Sequence, residues 1–428
     1  MSTLAFSFLL FLGMGVPIAV VLGISSLTYL LLQTDLDLVL LPQNMFYGLD
    51  VFLLASIPFF ILAGRLMNEG GITLRLVRFS RLIVGNVRGS LAQVNVVTSM
   101  FFGGITGSAV ADASAVGSVL IPAMREDGYD ASFAAAVTAS SSTMGPIIPP
   151  SIPMLVYALV SGASVGALFL AGVVPGLLIG FTMMTLNMYL IRRRGVHDVE
   201  RGTLSLTRQE RWIAFRDGLL ALIMPVIVVG PIVTGVTTPD EAAAISVLYA
   251  LLVGIFVFRE IQLSKLPQIL LESAITSAVV LLIIATSQIL AFVLTYEQIP
   301  DFLAGALVKL TGSWWVFLLL VIVLLLIAGM FLEPSGAIII LAPVLLPAAK
   351  AMQIDLVHFG TVLVFGLVIG LLTPPVGLCL FVVCSISGLR LEEVTRACVP
   401  FLIQLALLLL VVAFVPALST WLPRLAGY

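Results

Sequence analysis

Four short segments combine helix-breaking residues with residues that carry oxygen ligands. Two of them, GITGSAVADAS (104–114) and GMFLEPSGA (329–337), contain serine and one acidic residue each, and two others, SSSTMGPIIPPS (140–151) and GLLTPPVG (370–377), contain a Pro-Pro pair. Proline lacks a backbone N–H group, so a Pro-Pro pair within a helix leaves carbonyl oxygens free. Carbonyl and hydroxyl oxygens are suitable ligands for Na⁺. The four segments therefore predict two equivalent sodium sites, each formed by one segment of either kind.

The predicted sodium ligands lie at the glycine and serine positions of these segments. The first site is expected at Gly107, Ser108, Ser141, Met144 and Gly145, and the second at Leu332, Ser335, Gly370 and Thr373.

An anion is expected close to the same sodium ligands. Half-helices that begin at such breaks direct unpaired N–H groups and a positive dipole end toward the break, which favours a carboxylate. Two readings stay open for the acidic residues: Asp112 caps a helix, or Glu333 stays protonated and takes part in proton coupling. For any single serine, the alternative is a hydrogen bond between or within helices. The candidate substrate-binding residues are Ser108, Asp112, Ser142, Pro149, Ser151, Glu333 and Ser335.

The composition predicts that these segments lie in a membrane. Of the 428 residues, 61% are hydrophobic and 10% are charged, too few charges to cover a soluble protein of this size. No charged residue occurs before Asp35, from 131 to 191 or from 397 to 423. Each of these stretches exceeds the roughly 20 residues of a spanning helix. We therefore expect an all-α polytopic membrane protein.

Several classes of chemistry have no support in the sequence. The two histidines, His197 and His358, are far apart, and the three cysteines have no metal-site spacing. There is no phosphate-binding glycine loop, so we expect no ATP site, no cofactor and no enzyme activity. A net charge of −2 gives no sign of nucleic-acid binding. Energy is expected from an ion gradient, with Na⁺ as the coupling ion.

The apolar runs divide the chain into spans and two interrupted segments. The interrupted segments, 89–124 and 314–349, are predicted to be re-entrant hairpins, because irregular backbone at membrane depth occurs only inside protein or beside water. The predicted spans include 5–32 and 43–66 as single helices. The predicted units are 1–88 (first scaffold helices and arm), 89–191 (first transport half), 192–216 (cytoplasmic loop), 217–313 (second scaffold helices and arm) and 314–428 (second transport half and C-terminal span).

Six glycines and prolines recur at one constant offset of 225 residues. The pairs are Gly104/Gly329, Pro122/Pro347, Gly145/Gly370, Pro149/Pro374, Pro150/Pro375 and Pro175/Pro400. Duplicated helix breaks predict two structural repeats, which transporters often arrange with inverted topology. Arginines cluster at 75–88 and 192–216, which by the positive-inside rule places both stretches in the cytoplasm. In this orientation the two repeats begin on opposite sides of the membrane.

Residues 72–88 predict an amphipathic arm on the membrane surface, with an ordinary basic loop as the alternative. Arginines recur there at three-residue spacing between aliphatic side chains, at Arg75, Arg78 and Arg81.

The motifs resemble those of one transporter family. GGITGSAVADASAVGSVLIPAM (103–124) and SSSTMGPIIPPSIPML (140–155), with GMFLEPSGAIIILAPVLLP (329–347) and LTPPVGLCLFV (372–382), are similar to the large, DctM-like subunit of tripartite ATP-independent periplasmic (TRAP) transporters. The likeness covers most of the chain and is weakest at 192–216.

The resemblance implies an inverted-repeat elevator mechanism in the bacterial inner membrane, with import of organic acids. It implies two partners: a small four-helix (DctQ-like) membrane subunit, expected to be a separate chain, and a periplasmic (DctP-like) binding protein. The alternatives are a stand-alone dicarboxylate-type elevator carrier and, in another class, an intramembrane transferase, for which no DDxxD-like or histidine cluster exists. Residues that match the family's sodium and substrate motifs are Gly107, Ser108, Ser141, Gly145, Ser335, Gly370 and Thr373.

Overall fold

The fold is all-α throughout the part of the chain that the structure describes. This computed structural model describes residues 2–34, 36–85, 87, 89–193, 207–299, 302, 305 and 312–428. Arg88, Arg194, Arg201 and most of the predicted cytoplasmic loop lie outside the described residues. The described helices are α1 (Ser2–Gly13), α2 (Ile18–Gln33), α3 (Leu40–Leu49), α4 (Ser56–Glu69), α5 (Ile72–Val84), α6 (Ser90–Thr106), α7 (Ala109–Glu126), α8 (Ala131–Ser142), α9 (Ile152–Ser161), α10 (Val165–Arg193), α11 (Arg208–Val233), α12 (Pro239–Leu252), α13 (Leu266–Tyr296), α14 (Trp314–Gly329), α15 (Pro334–Ala351), α16 (Leu356–Gly370), α17 (Leu378–Ser387), α18 (Leu391–Phe414) and α19 (Ala417–Leu425).

Within the described ranges, seven helical segments are long and apolar enough to cross a bilayer. The longest, α13, has 31 residues and only one acidic residue, Glu272. This confirms the predicted polytopic membrane protein. The seven segments are Phe52–Glu69, Val165–Arg193, Arg208–Val233, Pro239–Val257, Leu266–Tyr296, Pro334–Ala351 and Leu391–Phe414.

Two predicted single spans are wrong. The run at 5–32 is interrupted between α1 and α2, where Gly15 has a φ of +76° and Pro17 precedes α2. The run at 43–66 contains the end of α3, a 3₁₀ turn at Phe52–Ala55 and most of α4. Hydropathy cannot register such breaks, because the interrupting glycine and proline carry no charge.

The helix boundaries repeat with the predicted offset up to the Pro-Pro pairs. Helices α7 and α15 begin and end 225 residues apart, and so do the starts of α8 and α16. Beyond the prolines the offset becomes 226: Gly162 and Gly388 both end a half-helix in the left-handed region. One repeat therefore contains one extra residue, and the predicted pair Pro175/Pro400 is one residue out of step with the helix starts.

Each helix pair around a break interlocks with the other repeat. Helices α6 and α7 contact one another and form the first helix-break-helix unit, and α14 and α15 form the second. Helix α7 packs against α8 of its own repeat and α17 of the other, while α15 packs against α16 and α9. The two repeats thus share one core. That the two units re-enter the membrane on one side, and that the repeats are inverted, remain predictions.

The arm at 72–88 contains helix α5, so the alternative of a basic loop is wrong. One face of α5 is buried against α6 and α11, while Leu74 and Arg78 are exposed. Arg75 on the inner side lies over the Phe258 ring at 4.0 Å and approaches Glu260 at 3.3 Å and Asp217 at 3.8 Å. The arm is therefore held to the neighbouring helices by one arginine.

We expect Arg75→Ala to lower the stability of the protein by about 1–3 kcal/mol, since it removes a cation–π contact and two ion pairs. Arg78→Ala, on the exposed face of the same helix, is the matched control and should leave the melting temperature unchanged. Thermal unfolding of both purified variants in lipid nanodiscs measures the difference, and equal melting temperatures would contradict the anchoring role of Arg75.

Candidate functional site

The first helix-break-helix unit turns at Gly107 and Ser108. Helix α6 ends where Gly107 adopts a φ of +62°, a conformation that glycine reaches without steric cost. Ser108 then caps α7, because its Oγ accepts a hydrogen bond from the backbone N–H of Ala111 at 3.4 Å. The alternative that Asp112 caps this helix is wrong, since Ser108 occupies the cap position.

This turn packs directly against the break between α8 and α9. A Cβ atom on Gly107 would lie 2.6 Å from the carbonyl oxygen of Pro150, and one on Gly145 would lie 3.1 Å from the carbonyl group of Ser108. A Cβ atom on Gly103 would lie 2.9 Å from the Cα atom of Gly145. The structure thus brings together Gly107, Ser108 and Gly145 of the first predicted sodium site, with backbone carbonyl groups between them.

The first break is closed by local hydrogen bonds. The peptide bond Pro149–Pro150 is cis, and Ser151 caps α9 by accepting a hydrogen bond from the N–H of Met154 at 3.2 Å. The Ser151 hydroxyl also donates to the carbonyl oxygen of Pro146. Ser142 donates to the carbonyl oxygen of Ala139 at 2.7 Å. The serine alternative, hydrogen bonding within the helices, therefore describes both hydroxyls in this structure.

The second unit repeats this approach of backbone to backbone. A Cβ atom on Gly370 would lie 2.2 Å from the carbonyl carbon of Gly329, so α14 ends in direct contact with the end of α16. The peptide bond Pro374–Pro375 is again cis. Thr373 donates its hydroxyl hydrogen to the carbonyl oxygen of Ile369 at 3.2 Å.

Glu333 forms the cap of α15, at the position that corresponds to Ser108. Its carboxylate accepts hydrogen bonds from the N–H groups of Ser335 at 2.9 Å and Gly336 at 3.3 Å, and from the Ser335 hydroxyl at 3.1 Å. Both predicted site residues are thus engaged with each other. Leu332 lies one residue before this cap and is partly buried against the core.

Ser141 and Met144 of the first predicted site are fully buried. The Ser141 hydroxyl contacts the side chains of Ser99 and Asn95, both at 3.0 Å. These two residues of α6 were not predicted, although Asn95 and Ser99 stand four residues apart in an otherwise apolar helix. A polar pair at this spacing on one helical face is a signal that the sequence contains.

Asp112 differs from Glu333 in lacking any hydrogen bond to its side chain. It is fully buried near the start of α7, and neither carboxyl oxygen has a hydrogen-bond partner. Burial without a partner is costly for an ionised group. Among the described residues, no group of three or more His, Cys, Asp or Glu side chains could hold a metal ion.

Duplicated breaks, half-helices and apolar spans define a polytopic membrane permease. The chain belongs to the DctM family, the DctM component of tripartite ATP-independent periplasmic transporters, which it matches over residues 5–418. Its relatives in this family are permease subunits rather than enzymes, and it is an integral protein of the bacterial inner membrane.

Two relatives and one solved structure illustrate the match. The chain is 42% identical over 408 residues to the C4-dicarboxylate TRAP transporter large permease protein DctM of Pseudomonas aeruginosa, covering 95% of this chain and 94% of the relative. It is 38% identical over 424 residues to the sialic acid TRAP transporter large permease protein SiaM of Vibrio cholerae, covering 99% and 98%. The fold is similar to the crystal structure of the Alcanivorax borkumensis YdaH transporter, with a TM-score of 0.65 and 16% identity over 97% of this chain and 98% of that one.

Gly370→Ala should destabilise the protein strongly, because the added methyl group would overlap the backbone of Gly329, which cannot move aside as a flexible side chain could. Overpacking of this kind costs about 1–3 kcal/mol or more. Gly230→Ala in α11 is the control, since a Cβ atom there meets nothing within 4 Å. Thermal unfolding in nanodiscs should show a lower melting temperature for the first variant only; a Gly370→Ala protein as stable as the control would show that the contact is not tight.

Proposed function

We propose that this permease imports small organic acid anions together with Na⁺, by an elevator movement, with a small membrane subunit and a periplasmic binding protein as partners. The observation that carries the proposal is the duplicated contact of each helix-break-helix unit with a broken helix, at Gly103–Gly145 and at Gly329–Gly370. The family is tripartite, and the relatives named above act on a C4-dicarboxylate and on sialic acid, both of which are organic acids.

Sodium coupling is supported by the chemistry of these contacts. At each one, backbone carbonyl groups and the hydroxyl of a serine or threonine lie close to a helix end. Unwound backbone at such points supplies hard oxygen ligands, and the N-termini of half-helices favour an anion. The residues proposed for Na⁺ are those predicted above, with Ser108 in the first site and Thr373 in the second as the side-chain ligands.

The elevator movement is supported by contacts of the breaks with α4 and α13. Gly64 of α4 faces Thr106 next to the first turn, where a Cβ atom would lie 3.4 Å from the Thr106 Cα. In the second unit, a Cβ atom on Gly336 would lie 3.5 Å from Ile283 of α13. Helices α13 and α4 also contact one another and pack against α2, α3 and α12. The two breaks therefore meet a common helical layer on which they can slide.

Uptake of a radiolabelled organic acid into proteoliposomes should require Na⁺ and the cognate binding protein. Ser108→Ala and Thr373→Ala should each raise the half-saturating Na⁺ concentration by roughly tenfold, the factor that about 1.4 kcal/mol of lost binding free energy gives. The control is Thr361→Ala, since this buried residue of α16 donates to the carbonyl oxygen of Val357 and lies away from the break.

Unchanged Na⁺ titrations in both variants would remove the proposed sodium ligands. Uptake at the full rate without the binding protein would instead favour the stand-alone elevator carrier.

Gly64→Leu should slow uptake, because the added side chain would obstruct the passage of Thr106 along α4. An overpacking cost of about 1–3 kcal/mol in the sliding step slows transport by roughly tenfold or more. Gly64→Ala, whose methyl group fits at 3.4 Å, and Gly230→Leu, on an open part of α11, should transport at the normal rate. Normal uptake by the Gly64→Leu variant, with normal Na⁺ dependence, would argue against movement at this contact.

A further inference from the structure

We infer that Asp112 is a buried binding site for a monovalent cation, a proton or Na⁺, separate from the two proposed sodium sites at the breaks. The inference rests on the packing around α7 and goes beyond the proposed function. The carboxyl group is fully buried, and both of its oxygens lack a hydrogen-bond partner. The Ser99 hydroxyl of α6 lies beside it.

The hydrogen bonds around Asn95 fix which atoms donate. Thr138 gives its only hydroxyl hydrogen to the carbonyl oxygen of Ala134 at 2.9 Å, so it can only accept from Asn95, whose Nδ2 lies 2.7 Å away. The amide oxygen of Asn95 then faces Ser141 at 3.0 Å and must accept from it. The orientation of the amide follows from this count, as it must where hydrogen atoms are not observed.

The same count leaves Ser99 without a hydrogen for Asp112. Ser141 has spent its hydrogen on Asn95, so the contact between the Ser99 and Ser141 hydroxyls at 3.0 Å requires Ser99 to donate. Ser99 therefore presents only a lone pair to the Asp112 carboxyl. A bare carboxylate facing a lone pair would be repelled, whereas a carboxylic acid can donate to it and a cation can bridge the two oxygens.

No permanent positive charge on the neighbouring helices compensates Asp112. Helices α6, α8 and α17, which pack most extensively against α7, contain no charged residue. Arg75 of α5 contacts Asp217 and Glu260, and Arg81 interacts with Asp127, which lies 15 residues beyond Asp112 and thus about 22 Å away along the helix. Arg78 of α5 is exposed on the outer face of that helix.

The titratable group that faces Asp112 is the Cys379 thiol of α17, which is buried and carries no positive charge. An isolated buried carboxylate costs several kcal/mol, so the charge of Asp112 must be neutralised by a bound cation. The site lies one helical turn from Ser108, where loading would bear on the first turn of the permease.

Dicyclohexylcarbodiimide tests this site on the purified full-length chain in lipid nanodiscs, without any transport assay. A protonated carboxyl adds across one C=N bond of the reagent, and the acyl group then shifts to nitrogen, so the whole reagent mass remains on the residue. Mass spectrometry should find the adduct on Asp112, with less label as the pH rises. Glu333 is the internal control, because its carboxylate accepts three hydrogen bonds and should stay unlabelled.

Two arms separate the two cations. Label on Asp112 that Na⁺ suppresses and K⁺ does not identifies a site for which Na⁺ and the proton compete, and label that is insensitive to both salts identifies a proton site. The variant Asp112→Asn keeps a donor to Ser99 without a charge. It should fold, take no label, and lose the dependence of the wild-type melting temperature on pH or on Na⁺.

The inference is overturned if Asp112 takes no label under any condition and Asp112→Asn shows the same response of melting temperature to pH and Na⁺ as the wild type. Because neither readout involves uptake, this outcome is distinct from a failure of the proposed transport function.

Discussion

The contact of backbone with backbone at two glycine pairs is the constraint on which the rest of the structure depends. At Gly370 the neighbouring chain is so close that even a methyl group has no room, and at Gly103 and Gly145 the approach is nearly as tight. Such closeness is possible only where both chains lack side chains. It fixes the end of one helix against the interruption of another, and the capping residues, half-helices and free carbonyl groups all take their places around it.

The interlocking of the two repeats extends this constraint to the whole core. Because α7 packs against α17 and α15 against α9, neither repeat can bury its half-helix alone. A change at one break is therefore felt by the other repeat through closely packed side chains, which transmit strain rather than absorb it. In physical terms, the two halves behave as one body, and the helices α4 and α13 face it across small residues and short side chains.

The sequence predicts the repeat because glycine and proline act on the backbone directly. The equal offsets of α7 and α15, and the positions of the two cis Pro-Pro bonds, follow the predicted punctuation. The breaks within 5–32 and 43–66 escaped prediction, since a hydropathy window averages over a turn that contains no charge. The extra residue after the first Pro-Pro pair also escaped, because Pro175/Pro400 is a match of residue type that tertiary placement does not keep.

Among the site residues, backbone roles were easier to predict than hydrogen-bond partners. Gly107, Gly145 and Gly370 lie where the breaks require them, whereas the partner of Glu333 is its own helix and that of Ser141 is Asn95. A side chain can reach several acceptors within a few ångströms, so its choice depends on packing between helices distant in sequence. The sequence alone cannot rank these choices.

The single-residue difference between the repeats, at Ser151 and Gly377, has a consequence for energetics. Two identical halves that exchanged roles across the membrane would give inward-facing and outward-facing forms of equal free energy. Here a serine hydroxyl caps one half-helix, while a left-handed glycine precedes the other. Under the proposed mechanism this broken symmetry removes the degeneracy, so the empty carrier has a preferred resting side even before any gradient acts on it.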